Sequence, residues 1–206
     1  LAHGNDVAGS LRLPGSVCGV YAMKGTMGLI PSFNPSQPGE YPIGLQLGAS
    51  EGVIARSVRD IRLGMPVLAR PDPRDPDQTP APTPTPGQRL PCRVALWLGD
   101  AETPVDPAVV RQADSWLEEA GYIVEEAAPP RLAEMSELWM ALLYADCIGP
   151  VRDTFMDLGD EAFRRSFQLT AANLPVLDQL GVLDGWVRRL SIRRAWADFF
   201  QTYPIV

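Results

Sequence analysis

Gly4-Asn5-Asp6-Val7-Ala8-Gly9-Ser10-Leu11-Arg12, with Pro14 close behind, and then Cys18-Gly19-Val20-Tyr21-Ala22-Met23-Lys24-Gly25-Thr26 form the stretch on which the fold and chemistry of this chain turn. Small residues at Ala8 and Gly9 let the backbone approach a substrate closely, and the successive N–H groups of Val7, Ala8, Gly9 and Ser10 can point into one concavity. A serine hydroxyl is a weak nucleophile at its free pKa. It needs a base within hydrogen-bond reach and donors aimed at the oxyanion of a tetrahedral intermediate, and this loop offers the donors from main chain alone. The same residues also suit an ordinary turn, in which Asp6 accepts from backbone amides ahead of it and Gly9 supplies a positive φ. On residue chemistry both alternatives stay open.

The stretch resembles the amidase-signature family of serine hydrolases, whose members read G-T/S-D-x-G-G-S-I/L-R-x-P and then C-G-v-x-G-L-K-P-T. Asp6, Gly9, Ser10, Leu11, Arg12, Pro14, Cys18, Gly19, Lys24 and Thr26 match in order with the spacing undisturbed, which is far more specific than a lone Gly-x-Gly fingerprint. The resemblance implies that Ser10 is the acyl-transfer nucleophile and that Asp6, Arg12, Cys18 and Lys24 are structural members of the motif. Cys18 is expected as a small buried side chain. The base implied by the family is a lysine relayed through a second serine on a cis peptide bond, both upstream of the nucleophile and not in this chain. Departures are Ala8 for the usual glycine, Ala22-Met23 for Gly-Leu and Gly25 for Pro. The methyl of Ala8 narrows the loop and excludes a glycine-only φ there.

Other serine-hydrolase plans fit poorly. The α/β-hydrolase elbow needs G-x-S-x-G, and Ser10 is flanked by Ala8 and Arg12. A Ser-His-Asp triad needs a histidine base, and His3 is the one histidine in the chain; a loop histidine of this kind is expected as a solvated side chain rather than the base.

Composition bounds the remaining classes. The 206 residues are 46% hydrophobic, enough to bury a sizeable core. The 18 Lys and Arg against 25 Asp and Glu give a formal charge of −7, and the basic residues form no sustained block, which argues against autonomous binding of nucleic acid or an anionic membrane. Arg188-Arg189 and Arg193-Arg194 lie on a helical pattern and are expected to form its solvated face. No apolar run approaches the roughly 18 residues of a membrane span, and no signal-peptide pattern opens the chain. Cys18, Cys92 and Cys147 form no C-x-x-C pair, so neither a disulfide framework nor a zinc site follows, and a reducing, cytoplasmic location is the expectation. No EF-hand, phosphate loop or carboxylate-histidine cluster is present, so no cofactor and no metal is implied.

Three segments are expected along the chain. Residues 1–69 carry the nucleophile loop: Val17 to Tyr21 is predicted as a short buried strand, Pro31 to Gly48 as loop. Val53-Ile54-Ala55-Arg56-Ser57-Val58-Arg59-Asp60-Ile61 resembles the family's G-P-M/L-A-R-S-V-x-D-L/I helix start. There Ser57 serves as N-cap, Val58, Ile61, Met65 and Leu68 form an apolar stripe, and Pro66 kinks or ends the helix. Residues 70–91, with eight prolines, read as an extended surface linker. Residues 92–206 read as β-α-β followed by helices. Arg93 to Leu98 is a strand; a helix capped by Asp106, with Pro107 at its first position, buries Val109, Ala113, Trp116, Leu117 and Ala120 and stops at Gly121; Tyr122 to Val124 is a parallel strand. Later stripes run through Leu132, Met135, Leu138, Trp139, Leu142 and Leu143, and through Ile192, Trp196, Phe199, Phe200 and Tyr203. The resemblance implies that these helices wall the acyl pocket.

The fold class is therefore α/β, a mixed sheet flanked by helices, of which this chain supplies a central portion of a longer protein. The function implied is hydrolysis of a small-molecule carboxylic amide through an acyl-enzyme on Ser10. The isolated chain, lacking the family's lysine and second serine, is expected to be inactive; partnership with a second copy is left open. Two alternatives remain: the glutamine-hydrolysing subunit of a tRNA-dependent amidotransferase, for which residues 46–52 would read Ser-Ser-Leu-Asp-Gln in place of the observed Gln46 to Gly52, and a non-catalytic remnant of the family.

Overall fold

Three short strands organise the first part of the chain in the computed structural model, which describes residues 1–36, 39–79, 92–100 and 105–206. Contacts divide the chain into two units, Leu1–Pro84 and Thr85–Val206. In the first, β1 (Ala2–Asp6), β2 (Tyr21–Lys24) and β3 (Ser50–Ala55) pair antiparallel in the order β1-β3-β2. The strand latest in sequence is thus the central one. Asp6 faces Ser50, and Gly4 and Lys24 both face Gly52. A side chain at Gly52 would place its Cβ 2.0 Å from the Met23 carbonyl oxygen and 2.7 Å from Leu11 Cδ1, so only glycine lets these segments converge there.

Between β1 and β2 the chain forms α1 (Arg12–Val17), where the sequence predicts a strand from Val17. Pro14 is tolerated because it lies in the first turn, whose N–H groups have no intrahelical partner. The helix ends as glycine-terminated helices do: Gly19 takes φ +63°, its N–H donates to the Ser16 carbonyl, and the Val20 N–H donates to the Gly15 carbonyl. Val17 is consequently 85% exposed, and Cys18, the C-cap, is exposed rather than buried.

The expected loop before β3 also contains a short helix, α2 (Ile43–Gly48). After β3, α3 (Val58–Leu68) starts at Ser57, whose hydroxyl accepts the Asp60 N–H at 3.1 Å. Pro66 does not end it. The amide that proline lacks would have met the carbonyl of exposed Arg62, which water can satisfy, and the Ala69 N–H still reaches the Met65 carbonyl. Ile61 and Met65 pack with Ile30, Val53 and Ala55 into the core of this unit, while Val58, expected on the same stripe, is exposed. The front of the expected linker is tied back: Asp75 accepts the Ser32 N–H, the Thr79 N–H donates to the Gly28 carbonyl, and the Arg74 guanidinium lies 4.6 Å from the centre of the Phe33 ring. The remainder of that stretch, 80–91, lies outside the described residues.

In the second unit, β4 (Arg93–Leu96) and β5 (Ile123–Glu126) pair in parallel across α4 (Pro107–Glu119). Asp106 caps α4 by accepting the Ala108 N–H, and Gly121 at φ +90° stops it. Val109 and Trp116, expected on its buried face, are 66% and 64% exposed. The Ala95 N–H donates to the Ile205 carbonyl, so the last residues lie along β4. The helical part comprises α5 (Leu132–Leu143), a π turn (Tyr144–Ile148), a 3-10 turn (Gly149–Val151), α6 (Arg152–Leu158), α7 (Glu161–Ala172) and α8 (Gln179–Thr202). At Gly185 a Cβ would come 2.8 Å from Leu142 Cδ2, which marks close packing of α5 on α8 around buried Leu142 and Ile192. Arg188, Arg193 and Arg194 are exposed as the sequence predicts, Arg188 reaching Glu134 of α5 at 3.0 Å, whereas Arg189 is part-buried, its guanidinium pKa lowered by desolvation. The α/β class is the one the sequence predicts, with antiparallel pairing in one unit and parallel pairing in the other.

Candidate active site

Asp6, the last residue of β1, is fully buried. One carboxylate oxygen accepts the Gly9 N–H at 2.8 Å; the other accepts the Leu11 N–H at 3.2 Å and the Arg12 N–H at 3.4 Å. The Arg12 guanidinium closes on both oxygens, Nε and Nη2 each at 2.9 Å. A buried charge is tolerable only when paired and hydrogen-bonded, and this one is both. The hydrogen bond from Arg12 first, then those from the Gly9 and Leu11 amides, hold the Asp6 carboxyl far below the usual carboxylate range despite its burial. The carboxylate thus folds residues 7–11 around itself and supplies the start of α1 with acceptors.

Within that loop Gly9 takes φ +108°, the left-handed backbone anticipated for it, and Ala8 needs no such conformation. Ser10 is exposed, and among the described residues no hydrogen bond reaches its hydroxyl. Of the four amides expected to face an oxyanion, Gly9 is committed to Asp6; those of Val7, Ala8 and Ser10 have no acceptor among the described residues.

Lys24 ends β2 and turns its ammonium onto main chain, donating to the Asp6 carbonyl at 2.5 Å and to the Gly48 carbonyl at 3.2 Å. The Asp6 carboxylate is 4.0 Å away. Desolvation lowers the Lys24 pKa, which Asp6 opposes and the Arg12 charge reinforces. His3 is neither isolated nor beside Ser10 by any hydrogen bond; its Nε2 pairs with Glu51 Oε2 at 2.9 Å across β1 and β3. Burial raises the Glu51 pKa, and His3 partly opposes this. A groove of about 800 Å³ on this unit is lined by Asn5, Val7, Phe33, Tyr41, Leu45 and Glu51, among others.

The sequence model of the Amidase family matches residues 1–197. The chain belongs to the amidase family. It is 36% identical over 213 residues to an indoleacetamide hydrolase of Bradyrhizobium diazoefficiens, an alignment covering 100% of this chain and 40% of that protein. It is 43% identical over 79 residues, 36% of this chain and 15% of the relative, to a glutamyl-tRNA(Gln) amidotransferase polypeptide of Thermus thermophilus. Among solved structures, a fatty acid amide hydrolase superposes with a TM-score of 0.72 at 20% identity over 98% of this chain and 37% of that one, a likeness of fold. The chain therefore spans less than half the length of these relatives.

In this member of the amidase family, Asp6, Gly9, Arg12 and Lys24 of the expected set converge on the loop that carries Ser10, while Cys18 stands apart on the surface. Sequence reasoning missed Glu51. Its signal was a carboxylate within the otherwise small and apolar strand Ser50-Glu51-Gly52-Val53-Ile54-Ala55. Among the described residues no group of three or more His, Cys, Asp or Glu is placed to hold a metal ion, and no helix is long and apolar enough to cross a membrane.

Proposed function

We propose that the protein carrying this chain hydrolyses a carboxylic amide through an acyl-enzyme on Ser10. The observation that supports it is an exposed serine at the end of a loop whose Val7, Ala8 and Ser10 amides have no internal acceptor, pre-shaped by the buried Asp6 carboxylate. Ser10 Oγ adds to the amide carbonyl while its proton passes to a base; the oxyanion is met by main-chain N–H groups; the C–N bond breaks as the leaving nitrogen takes a proton. Water then cleaves the ester, releasing carboxylate and restoring the serine. The family resemblance assigns the base to an upstream lysine, and no described residue hydrogen-bonds the Ser10 hydroxyl in its place. An arylacetamide such as indoleacetamide is the substrate class proposed, on the name of the 36% identical relative; Phe33 and Tyr41 in the groove are compatible with a flat aromatic group.

The test uses the full-length protein. A fluorophosphonate probe is expected to label Ser10, and Ser10→Ala is expected to lower ammonia release from indoleacetamide by roughly three orders of magnitude or more with unchanged circular dichroism. Labelling at another residue, or turnover by Ser10→Ala near the parent rate, would remove the assignment.

A further inference from the structure

We infer that Lys24 is a positioning residue for the oxyanion: through the Asp6 carbonyl, its ammonium aims the Val7 N–H. The Asp6 carbonyl and the Val7 N–H belong to one peptide unit. In a trans peptide they lie in one plane and point in opposite directions. Whatever holds the carbonyl therefore sets the direction of the amide on the far edge. Lys24 Nζ holds it at 2.5 Å and braces itself on the Gly48 carbonyl at 3.2 Å, where α2 ends and the chain turns into β3. A hydrogen bond from a cation to the carbonyl also polarises the peptide and strengthens its N–H as a donor.

Neutralising the Asp6 carboxylate does not account for the lysine. Arg12 already closes on both oxygens at 2.9 Å, whereas Lys24 Nζ stands 4.0 Å from the nearer one. The division of labour follows from these distances. Asp6 and Arg12 shape the far side of the loop, where the Gly9 amide is used internally, and Lys24 fixes its entry, where the Val7 amide is left open for a ligand. The negative charge that this amide would meet exists in the tetrahedral intermediate and not in the bound amide, so the effect of Lys24 falls on the transition state and not on ground-state binding.

The inference rests on Ser10 being the nucleophile, and the experiment separates the two. In the full-length protein, kcat, KM and the affinity for a trifluoromethyl ketone analogue, which forms a tetrahedral adduct with the nucleophile, are measured for the parent, Lys24→Met and Lys24→Gln. Because removing a whole oxyanion donor costs about 10²–10³ in kcat, misaiming one is expected to cost at least about tenfold. Lys24→Met should lose kcat and ketone affinity by the same factor with KM nearly unchanged. Lys24→Gln, which keeps a neutral donor, should fall between it and the parent, and it carries the test should Lys24→Met fail to fold. Unchanged kcat, a fall in kcat with ketone affinity preserved, or a change in KM alone overturns the inference. A parent enzyme that fluorophosphonate labels away from Ser10 overturns the Ser10 assignment and this inference with it, whereas a parent labelled on Ser10 beside an unimpaired Lys24→Met overturns this inference alone.

Discussion

Replacing Asp6 by asparagine tests how the nucleophile loop is held. The carboxylate accepts from Gly9 and Arg12 Nη2 on one oxygen, and from Leu11, the Arg12 amide and Arg12 Nε on the other. An asparagine has one acceptor atom and one donor, so each orientation satisfies one set and turns an NH₂ group toward the other. With its oxygen toward Leu11 and Arg12 it keeps the larger set but strands the buried Gly9 amide. An unsatisfied buried donor costs about 1–3 kcal/mol. Loss of the charge-assisted pair adds only about 1 kcal/mol, because Arg12 is more than half exposed and regains water. The expected destabilisation is about 2–4 kcal/mol, a large fraction of a typical domain's margin. Denaturant midpoints measure the total, and hydrogen exchange at the Gly9 amide reads the local part directly. The parent's Asp6 pKa lies below its unfolded value, so its contribution is present above about pH 4 and fades as pH falls through the folded pKa. The gap between parent and variant must therefore narrow in acid. A midpoint shift worth less than about 0.5 kcal/mol, or Gly9 exchange as slow as in the parent, would refute this account.

Gly52→Ala should destabilise by about 3 kcal/mol or more, since its methyl would meet the Met23 carbonyl oxygen at 2.0 Å; a melting temperature equal to the parent's would contradict the packing described. Burial raises the Glu51 pKa, so the stability linked to its proton is present below the ordinary glutamate value near 4.3 and lost as pH rises through the folded pKa. Glu51→Gln should accordingly gain stability relative to the parent between pH 4 and pH 8, and a difference flat across that range counts against it. His3→Ala should change the rate of amide hydrolysis by less than about tenfold, because the imidazole is engaged by Glu51 and not by the nucleophile; loss of a near-neutral ionisation from the pH-rate profile would revive a histidine mechanism.

Local signals in the sequence were legible wherever a few neighbouring residues decide the outcome. Ser57 capping α3, Asp106 and Pro107 opening α4, and Gly121 closing it depend on side-chain and backbone groups within one turn. The segment from Arg12 to Val17 was not legible as a helix. Its start is fixed by Asp6, which lies six residues earlier and accepts the Leu11 and Arg12 amides, and its end by Gly19, while the run Val17 to Tyr21 carries strand-like residues. In the site, the motif pointed to Asp6, Arg12 and Lys24 together, but not to what each one grips. Lys24 reaches a carbonyl 18 residues away, and His3 meets Glu51 only because β1 lies beside β3. Such contacts follow from strand order, which no local pattern encodes.

That strand order bears on the sequence of events during synthesis. β1 and β2 never touch each other as ladder partners; both wait for β3, which is made last of the three. Until residues 50–55 have left the ribosome, neither β1 nor β2 has its ladder partner, and until residue 48 has been made Lys24 has no Gly48 carbonyl to brace on. Pairings between distant segments form slowly because the intervening chain must first be closed into a loop. The sheet that carries the nucleophile loop therefore closes only when the glycine at 52 slides between its two waiting strands, and a pause in translation before that point leaves both without their shared partner.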